Sequence, residues 1–140
     1  LYTDGACKGN PGPGGWGVVI MKNGKSVDEI YGGEINTTNN RMELLAVIHG
    51  LNKIEEGDTV RVNTDSMYVK NGITSWINKW VENGWKTTAK KDVANKDLWV
   101  KLHNIVEVRK VTWNWVRGHS GDAGNERADF LANKGVSDYC

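Results

Sequence analysis

The chain has 140 residues, a length that predicts a single domain over residues 1–140 and excludes two ordinary ones. Apolar residues make up 39% and charged residues 25%, a composition that suits one folded core and excludes a disordered chain. Lys and Arg together number 18 against 17 Asp and Glu, so the formal net charge is +1 and argues against an obvious polyanion binder.

The first third of the chain has the pattern of three strands around a glycine-rich loop. We expect the end of a strand at 1–4 and a loop at 5–15, where Gly and Pro are frequent. The apolar run at 16–21 predicts a second strand, and 27–34 predicts its hairpin partner. We expect these strands to form an antiparallel meander.

The rest of the chain alternates helices with strands. Apolar residues recur at helical spacing over 38–56, and apolar and polar residues alternate over 59–64, which predicts a helix and then a strand. The later elements are one or two short helices at 66–84, a polar loop at 85–95, a helix at 96–108, a strand at 111–116, a glycine-rich loop at 117–124 and a last helix at 125–134. Strands reached through helices run parallel by right-handed crossovers, so this order predicts an α/β fold with a five-stranded mixed sheet flanked by helices.

Cysteine usage and hydropathy bear on the compartment. Cys7 and Cys140 lie far apart in the sequence, so no disulfide framework is expected, and a reducing compartment, the cytoplasm, is predicted. No run of 18 apolar residues exists in the sequence, so we expect no membrane span. The chain opens at Leu1, without Met and inside an expected strand, so a few further residues are expected before it.

Two carboxylates stand where two expected parallel strands end. Asp4 closes the first strand, and Asp65 closes the strand after the first long helix. The carboxyl ends of neighbouring parallel strands meet at one edge of a sheet, where ligands tend to bind. Like charges held close together repel, so a divalent cation that prefers oxygen ligands, such as Mg²⁺, is their natural partner. Glu43 and Asp129, on the first and last long helices, could add a third and a fourth ligand.

Each of these carboxylates also has an ordinary explanation. Asp is common in the turns at strand ends, and acidic residues are common in first helical turns, where they complement the helix dipole. For any one of the four residues alone the ordinary explanation is the stronger one, and their spacing by itself does not prove that they converge.

Positive charge and tryptophan are concentrated between Lys70 and Lys101. Seven Lys stand there against three acidic residues, a local balance of +4 that leaves −3 for the rest of the chain. Four of the seven Trp lie in the same segment, and basic side chains interleaved with aromatic rings suit a nucleic-acid backbone. Trp99 falls on the expected core face of a helix, whereas Trp76 and Trp80 fit core and nucleic-acid contact equally well.

Four short motifs, in this order and over essentially the whole chain, resemble the motifs of type 1 ribonuclease H. They are TDGAC at 3–7 with the glycine-rich run at 9–15, TNNRME at 38–43, TDS at 64–66, and GHSG at 118–121 followed by GNERAD at 124–129. The stretch 76–86 is similar to the basic helix-loop protrusion of the prokaryotic-type members. The resemblance implies the ribonuclease H-like fold with that protrusion.

The resemblance also implies an activity and a metal site. It implies a metal-dependent endonuclease that hydrolyses the RNA strand of RNA–DNA hybrids and leaves 3′-hydroxyl and 5′-phosphate ends. Asp4, Glu43, Asp65 and Asp129 are then the ligands of two Mg²⁺ ions, with Mn²⁺ as a substitute, in two-metal-ion catalysis. His119, on a glycine-rich loop, assists by proton transfer or product release, because a His titrates near neutral pH.

The substrate contacts are likewise implied by the resemblance. Asn10, Asn39, Asn40, the backbone around Met42, and Met67 match positions that contact the hybrid. Trp76, Trp80 and Thr88 match the channel for the DNA strand, and Thr38 and Asn95 match a pocket that grips a DNA phosphate. Asn36 stands near that pocket where relatives often have a basic residue. The expected partner is an RNA–DNA hybrid bound by a monomer.

Two other functions fit parts of the sequence. A non-catalytic module that binds RNA or RNA–DNA hybrids is favoured by the basic tryptophan-rich segment, but such a binder gains nothing from four acidic residues beside phosphates. A related nuclease of the same fold, such as a resolvase or an integrase, is disfavoured by the protrusion and by the Gly-His loop.

Overall fold

The computed structural model describes residues 1–87, 90–116 and 123–140, and it confirms the fold that the sequence predicts. Its strands are β1 (Tyr2–Cys7), β2 (Gly12–Lys22), β3 (Lys25–Thr37), β4 (Thr59–Thr64) and β5 (Lys110–Trp115). Its helices are α1 (Asn39–Asn52), α2 (Met67–Asn71), a π-helical turn (Gly72–Trp76), α3 (Ile77–Glu82), α4 (Lys96–Glu107) and α5 (Ala123–Tyr139).

The five strands form one mixed sheet in the order β3-β2-β1-β4-β5. The meander of the first three strands is antiparallel, with Tyr2 opposite Val19. Strand β4 lies parallel to β1, with Thr3 opposite Thr64, and β5 lies parallel to β4. The carboxyl ends of β1 and β4 therefore lie at the same edge of the sheet, as the crossover rule requires.

Helices cover the sheet on two faces. Helices α1 and α4 pack together over a core that includes Leu44, Leu51 and Leu102, and α5 packs over β1, β2 and β3. Trp99 is fully buried in the α1 side of this core, which confirms the interpretation of its position. Among the residues that the structure describes, no helix is both long and apolar enough to cross a membrane.

The glycine-rich segment differs from its prediction, because β2 begins at Gly12 and only residues 8–11 lie between the first two strands. The reason is the close approach of α5. A Cβ on Gly15 would lie 2.1 Å from the carbonyl oxygen of Ala132, and one on Gly17 would lie 2.5 Å from that of Ala128. These glycines belong to the strand and admit the helix backbone, whereas local patterns associate glycine with loops.

The helix ends also differ from their predicted positions. Helix α1 stops at Asn52 rather than near residue 56, and α5 runs from Ala123 to Tyr139 rather than over 125–134. The region 66–84 is helical but contains a π-helical turn, where Gly72 meets the ring of Trp99. Residues 117–122 of the predicted loop lie outside the described part of the chain.

Candidate active site

Three acidic side chains from three elements converge at the carboxyl edge of the sheet. Asp4 lies on β1, Glu43 lies on α1, and Asp65 directly follows β4. Each offers one carboxylate oxygen, and these three oxygens all lie within 4.8 Å of one another. Asp4 is 6% exposed and Glu43 is 5% exposed, whereas Asp65 is half-buried. The convergence that spacing alone left open is therefore present for these three residues.

Local backbone chemistry fixes the positions of these acids. A Cβ on Gly5 would lie 2.6 Å from the backbone nitrogen of Glu43, so glycine allows β1 and α1 to touch. The Gly5 N–H then donates to the carboxylates of Asp4 and Glu43. After β4, the Ser66 N–H donates to the Thr64 hydroxyl oxygen, and the Ser66 hydroxyl oxygen caps α2 by accepting from the Val69 N–H. These bonds hold the turn that carries Asp65.

Asp129 joins the cluster from the other face of the sheet. It lies on α5, half-buried, and its side chain reaches the carboxyl of Asp4. It also lines the same open cleft, of about 440 Å³, as Asp4, Glu43 and Asp65. The structure thus brings together all four acidic residues that the sequence singles out.

Burial and repulsion raise the pKa of the two buried members of this cluster, Asp4 and Glu43. Burial, followed by the charge of Glu43, raises the pKa of Asp4 to about 10. Burial also raises the pKa of Glu43 to about 7, and the charge of Asp65 acts in the same direction. A divalent cation relieves such repulsion, and carboxylate oxygens are the ligands that Mg²⁺ prefers. The donor set therefore fits a hard divalent cation.

Polar and apolar side chains predicted to contact substrate line the same cleft. Asn39, Asn40 and Met67 all border it, and Met67 is strongly exposed. The side-chain oxygen of Asn10 accepts a hydrogen bond from the Asn39 N–H at 3.1 Å, so the loop after β1 reaches the start of α1. The side chain of Met42 is fully buried, which leaves only its backbone for a substrate contact.

An aromatic wall extends from the cleft toward the basic segment. The ring centroid of Trp76 lies 5.9 Å from that of Tyr68, in an edge-to-face contact, and 5.7 Å from that of Trp80. Trp80 continues onto the buried ring of Trp99 at 5.3 Å. Trp76 remains 37% exposed, so it combines core packing with an open surface. Tyr68, Trp76, Trp80 and Ala94 together line a shallow pocket beside the acidic cleft.

Thr38 and Asn95 meet at Arg41, a residue that the sequence reasoning missed. The Thr38 hydroxyl oxygen caps α1 by accepting from the Arg41 N–H, and Nη1 of Arg41 donates to Oδ1 of Asn95 at 3.2 Å. Both Nη atoms of Arg41 also donate to the carboxylate of Asp97, at 3.1 and 2.9 Å. Asn95 in turn donates to the hydroxyl oxygen of Tyr68. The sequence did offer one indication of a role for Arg41, its position inside the TNNRME motif.

Two predicted site residues, Thr88 and His119, lie outside the described residues. Asn36 lies exposed near the end of β3, close in sequence to the Thr38 cap.

The fold and the acidic cleft define a class: an α/β protein with a carboxylate site at the edge where parallel strands end. The sequence profile of RNase H matches residues 1–137. Ribonuclease H of Neisseria meningitidis serogroup C is 58% identical over 139 residues, which cover 99% of this chain and 95% of that protein. Ribonuclease H of Cupriavidus pinatubonensis is 56% identical over 98% of this chain and 94% of its own length.

Solved structures give the same result. LC9-RNase H1, a type 1 RNase H with the type 2 active-site motif, is 36% identical with a TM-score of 0.81 and covers 99% of this chain and 72% of its own. RNase H1 from Halobacterium salinarum is 29% identical with a TM-score of 0.75, and the match covers 98% of this chain and 96% of that protein. LC11-RNase H1 in complex with RNA/DNA hybrid is 27% identical with a TM-score of 0.73, and the match covers 97% of this chain and 94% of that protein. The chain belongs to the RNase H family, and it is an endoribonuclease.

Proposed function

We propose that this endoribonuclease hydrolyses the RNA strand of RNA–DNA hybrids and leaves 5′-phosphate and 3′-hydroxyl ends. The observation that carries the proposal is the convergence of Asp4, Glu43 and Asp65 from three elements, with Asp129 in the same cleft. The structure of LC11-RNase H1 with RNA/DNA hybrid, a protein similar to this chain over nearly its whole length, supports the choice of substrate.

In this proposal Asp4, Glu43, Asp65 and Asp129 hold two divalent cations, Mg²⁺ with Mn²⁺ as a substitute. Bound cations of this kind supply Lewis-acid stabilisation of the attacking and leaving oxygens of a phosphodiester and lower the pKa of water. The residues of the chain hold the metal ligands in place: the Gly5 N–H orients the carboxylates of Asp4 and Glu43 before any cation binds. His119 keeps its proposed role in proton transfer or product release.

Substrate choice in this proposal depends on hydroxyl and backbone contacts. Proteins distinguish RNA from DNA through the 2′-hydroxyl, and the amides of Asn10, Asn39 and Asn40 can donate to and accept from it. Trp76 and Trp80, with Thr88, receive the DNA strand along the aromatic wall. Contacts to sugars and phosphates carry little sequence information, so we expect weak sequence preference.

A comparison of three substrates tests the proposed function. We expect labelled RNA–DNA hybrid to be cut in Mg²⁺, with label in 5′-phosphate products, while duplex RNA and duplex DNA stay intact. A protein that binds the hybrid without product, or whose binding ignores Mg²⁺, would instead be the non-catalytic binding module. Equal cleavage of all three substrates would contradict the assigned specificity.

Arg41 is expected to bind a phosphate of the DNA strand together with Thr38 and Asn95. Arg41→Lys keeps the charge but loses the planar fork that now holds Asn95 and Asp97. We expect the KM for hybrid to rise by roughly threefold to tenfold with kcat nearly unchanged, as for loss of a charge-assisted contact. Steady-state kinetics check this, with Arg61→Lys, an exposed position on β4, as the matched control. An unchanged KM would contradict the assignment.

A monomer in the cytoplasm completes the proposal. The cytoplasmic location rests on the two cysteines, Cys7 and Cys140, which are both free thiols in the structure. Sedimentation of the purified protein tests the monomer.

A further inference from the structure

Two residues four positions apart, Asp4 on β1 and Lys8 just after β1, contact two residues four positions apart on α5. The side chain of Asp129 reaches the carboxyl of Asp4. One helical turn later, Oδ1 of Asn133 accepts a hydrogen bond from Nζ of Lys8 at 3.3 Å. Nδ2 of Asn133 in turn donates to the backbone carbonyl oxygen of Asp129 at 2.9 Å. The ammonium of Lys8 is therefore tied to the α5 residue one helical turn after Asp129, and the side chain of that residue in turn bonds to the Asp129 backbone.

The partner of Lys8 orients its charge without neutralising it. Lys8 is exposed, and within the described ranges its side chain bonds only to the neutral amide of Asn133. Lys86, Lys96 and Lys134, by contrast, form ion pairs with aspartates. An ammonium has three donors, so one bond to an amide leaves two donors and the full charge for another acceptor. The arrangement suits an anionic oxygen that arrives from solvent.

The position of Lys8 complements the basic segment. Trp80, Trp85 and Trp99 of the basic segment pack on the core under α1 and α4, whereas Lys8 bonds to α5 on the other face of the sheet. Residues 70–101, which carry excess positive charge, and Lys8 therefore lie on opposite faces of the sheet. A polyanionic strand that crosses the carboxylates and continues along α5 would come to the Lys8 ammonium one helical turn after Asp129.

We propose that Lys8, oriented by Asn133, binds a phosphate of the RNA strand beside the scissile phosphate, on the Asp129 side of the cleft. This inference rests on the proposed function, because that function places the RNA strand over the carboxylates. The contact fixes the register of the RNA strand and adds affinity, without entering the chemistry at the cleaved bond.

Binding of hybrid to Lys8→Gln tests the site, in an Asp65→Asn background that keeps the hybrid intact. We expect the Kd to rise about threefold near physiological salt, and the slope of log Kd against log salt to fall by about one. Lys8→Arg should restore both values. Lys25→Gln removes an exposed charge at the far hairpin and should change neither. Equal effects of Lys8→Gln and Lys25→Gln would overturn the proposal.

Neutral methylphosphonate links placed one at a time in each strand identify the phosphate. We expect the rise in Kd caused by Lys8→Gln to disappear when the neutral link replaces one RNA-strand phosphate near the cleavage site. The rise should persist when the link replaces any DNA-strand phosphate. A penalty that disappears only with a DNA-strand link would overturn the strand assignment. Cleavage by the unsubstituted protein is measured in parallel. Tight binding without cleavage would reject the proposed function while the Kd values still decide the Lys8 site.

Discussion

Asp65→Asn is expected to lower hybrid cleavage by about a hundredfold or more while the protein stays folded. Removing a group that only supports a metal ligand typically costs about 10–100-fold, so loss of a ligand itself should cost at least the upper value. Asp65 is half-buried and lies in a turn that Thr64 and Ser66 hold through their own hydrogen bonds, so the fold does not depend on its charge. Single-turnover cleavage in Mg²⁺ measures the effect, and circular dichroism checks the fold.

A matched substitution separates this effect from a general loss of negative charge. Asp58→Asn changes an exposed Asp in the turn before β4, at the opposite end of that strand, and should keep full activity. Mg²⁺ should also raise the Tm of the unsubstituted protein more than that of Asp65→Asn, because the cation binds the folded site. Full activity in Asp65→Asn would remove this residue from the proposed ligand set.

The acidic cluster could be predicted because one topological rule governs it. Asp4 lies on the first strand, and Asp65 follows a strand that the chain reaches through a helix, so the two strands lie parallel with their carboxyl ends at one edge. The position of Glu43 follows from the start of α1 at its Thr38 cap. These inferences need only the order of the elements and the local start signals, which the sequence contains.

The glycine-rich segment could not be predicted in the same way, because its conformation depends on a distant element. Gly15 and Gly17 are strand residues, since the backbone of α5 occupies the space that their side chains would need. Helix α5 lies more than 100 residues later in the chain. Gly72 is a similar case, because the ring of Trp99 takes the place of its side chain within the π-helical turn. Local propensity contains no information about such contacts.

The side-chain networks around the cleft also lie beyond the sequence. Arg41, Tyr68 and Asn95 form one connected set of hydrogen bonds, although they lie on α1, on α2 and just before α4. The tyrosine hydroxyl oxygen also accepts from the indole N–H of Trp99, so the set is anchored in the core. Spacing in the sequence cannot show which of these partners meet. The proposed phosphate pocket therefore contains a wider hydrogen-bond network than Thr38 and Asn95, the two residues that the resemblance identified.

The distribution of charge explains why a net charge of +1 gives a misleading view of this protein. Three of the carboxylates converge at one site, whereas excess positive charge is concentrated between Lys70 and Lys101. Divalent cations in the cleft would add positive charge where the formal sum counts negative charge. The surface around the cleft would then be more attractive to a polyanion than the formal sum implies.

Asp4→Asn is expected to stabilise the metal-free protein at pH 8 by about 2 kcal/mol, or roughly 6–10 °C in Tm. The pKa of Asp4 is raised to about 10, mainly by burial, whereas an Asp in the unfolded chain titrates near 3.9. Between these values the folded state binds more protons than the unfolded state, so the free energy of unfolding falls as pH rises. Asn is neutral at every pH, so the variant does not lose this part of the free energy of unfolding as the pH rises.

The sign of this effect distinguishes a strained carboxylate site from an ordinary buried hydrogen bond. Thermal denaturation in EDTA at pH 8 and pH 5 should show that the stability gained by Asp4→Asn is smaller at the lower pH, because the free-energy cost of keeping Asp4 protonated in the folded state shrinks as the pH approaches the pKa of an unfolded Asp. Saturating Mg²⁺ should narrow the difference at pH 8, since the cation stabilises the charged carboxylates of the folded protein. Hybrid cleavage should be lost in the same variant. An Asp4→Asn protein that is less stable at pH 8 in EDTA would show that the Asp4 carboxyl is held by favourable contacts, and that no cation is needed to offset repulsion at this site.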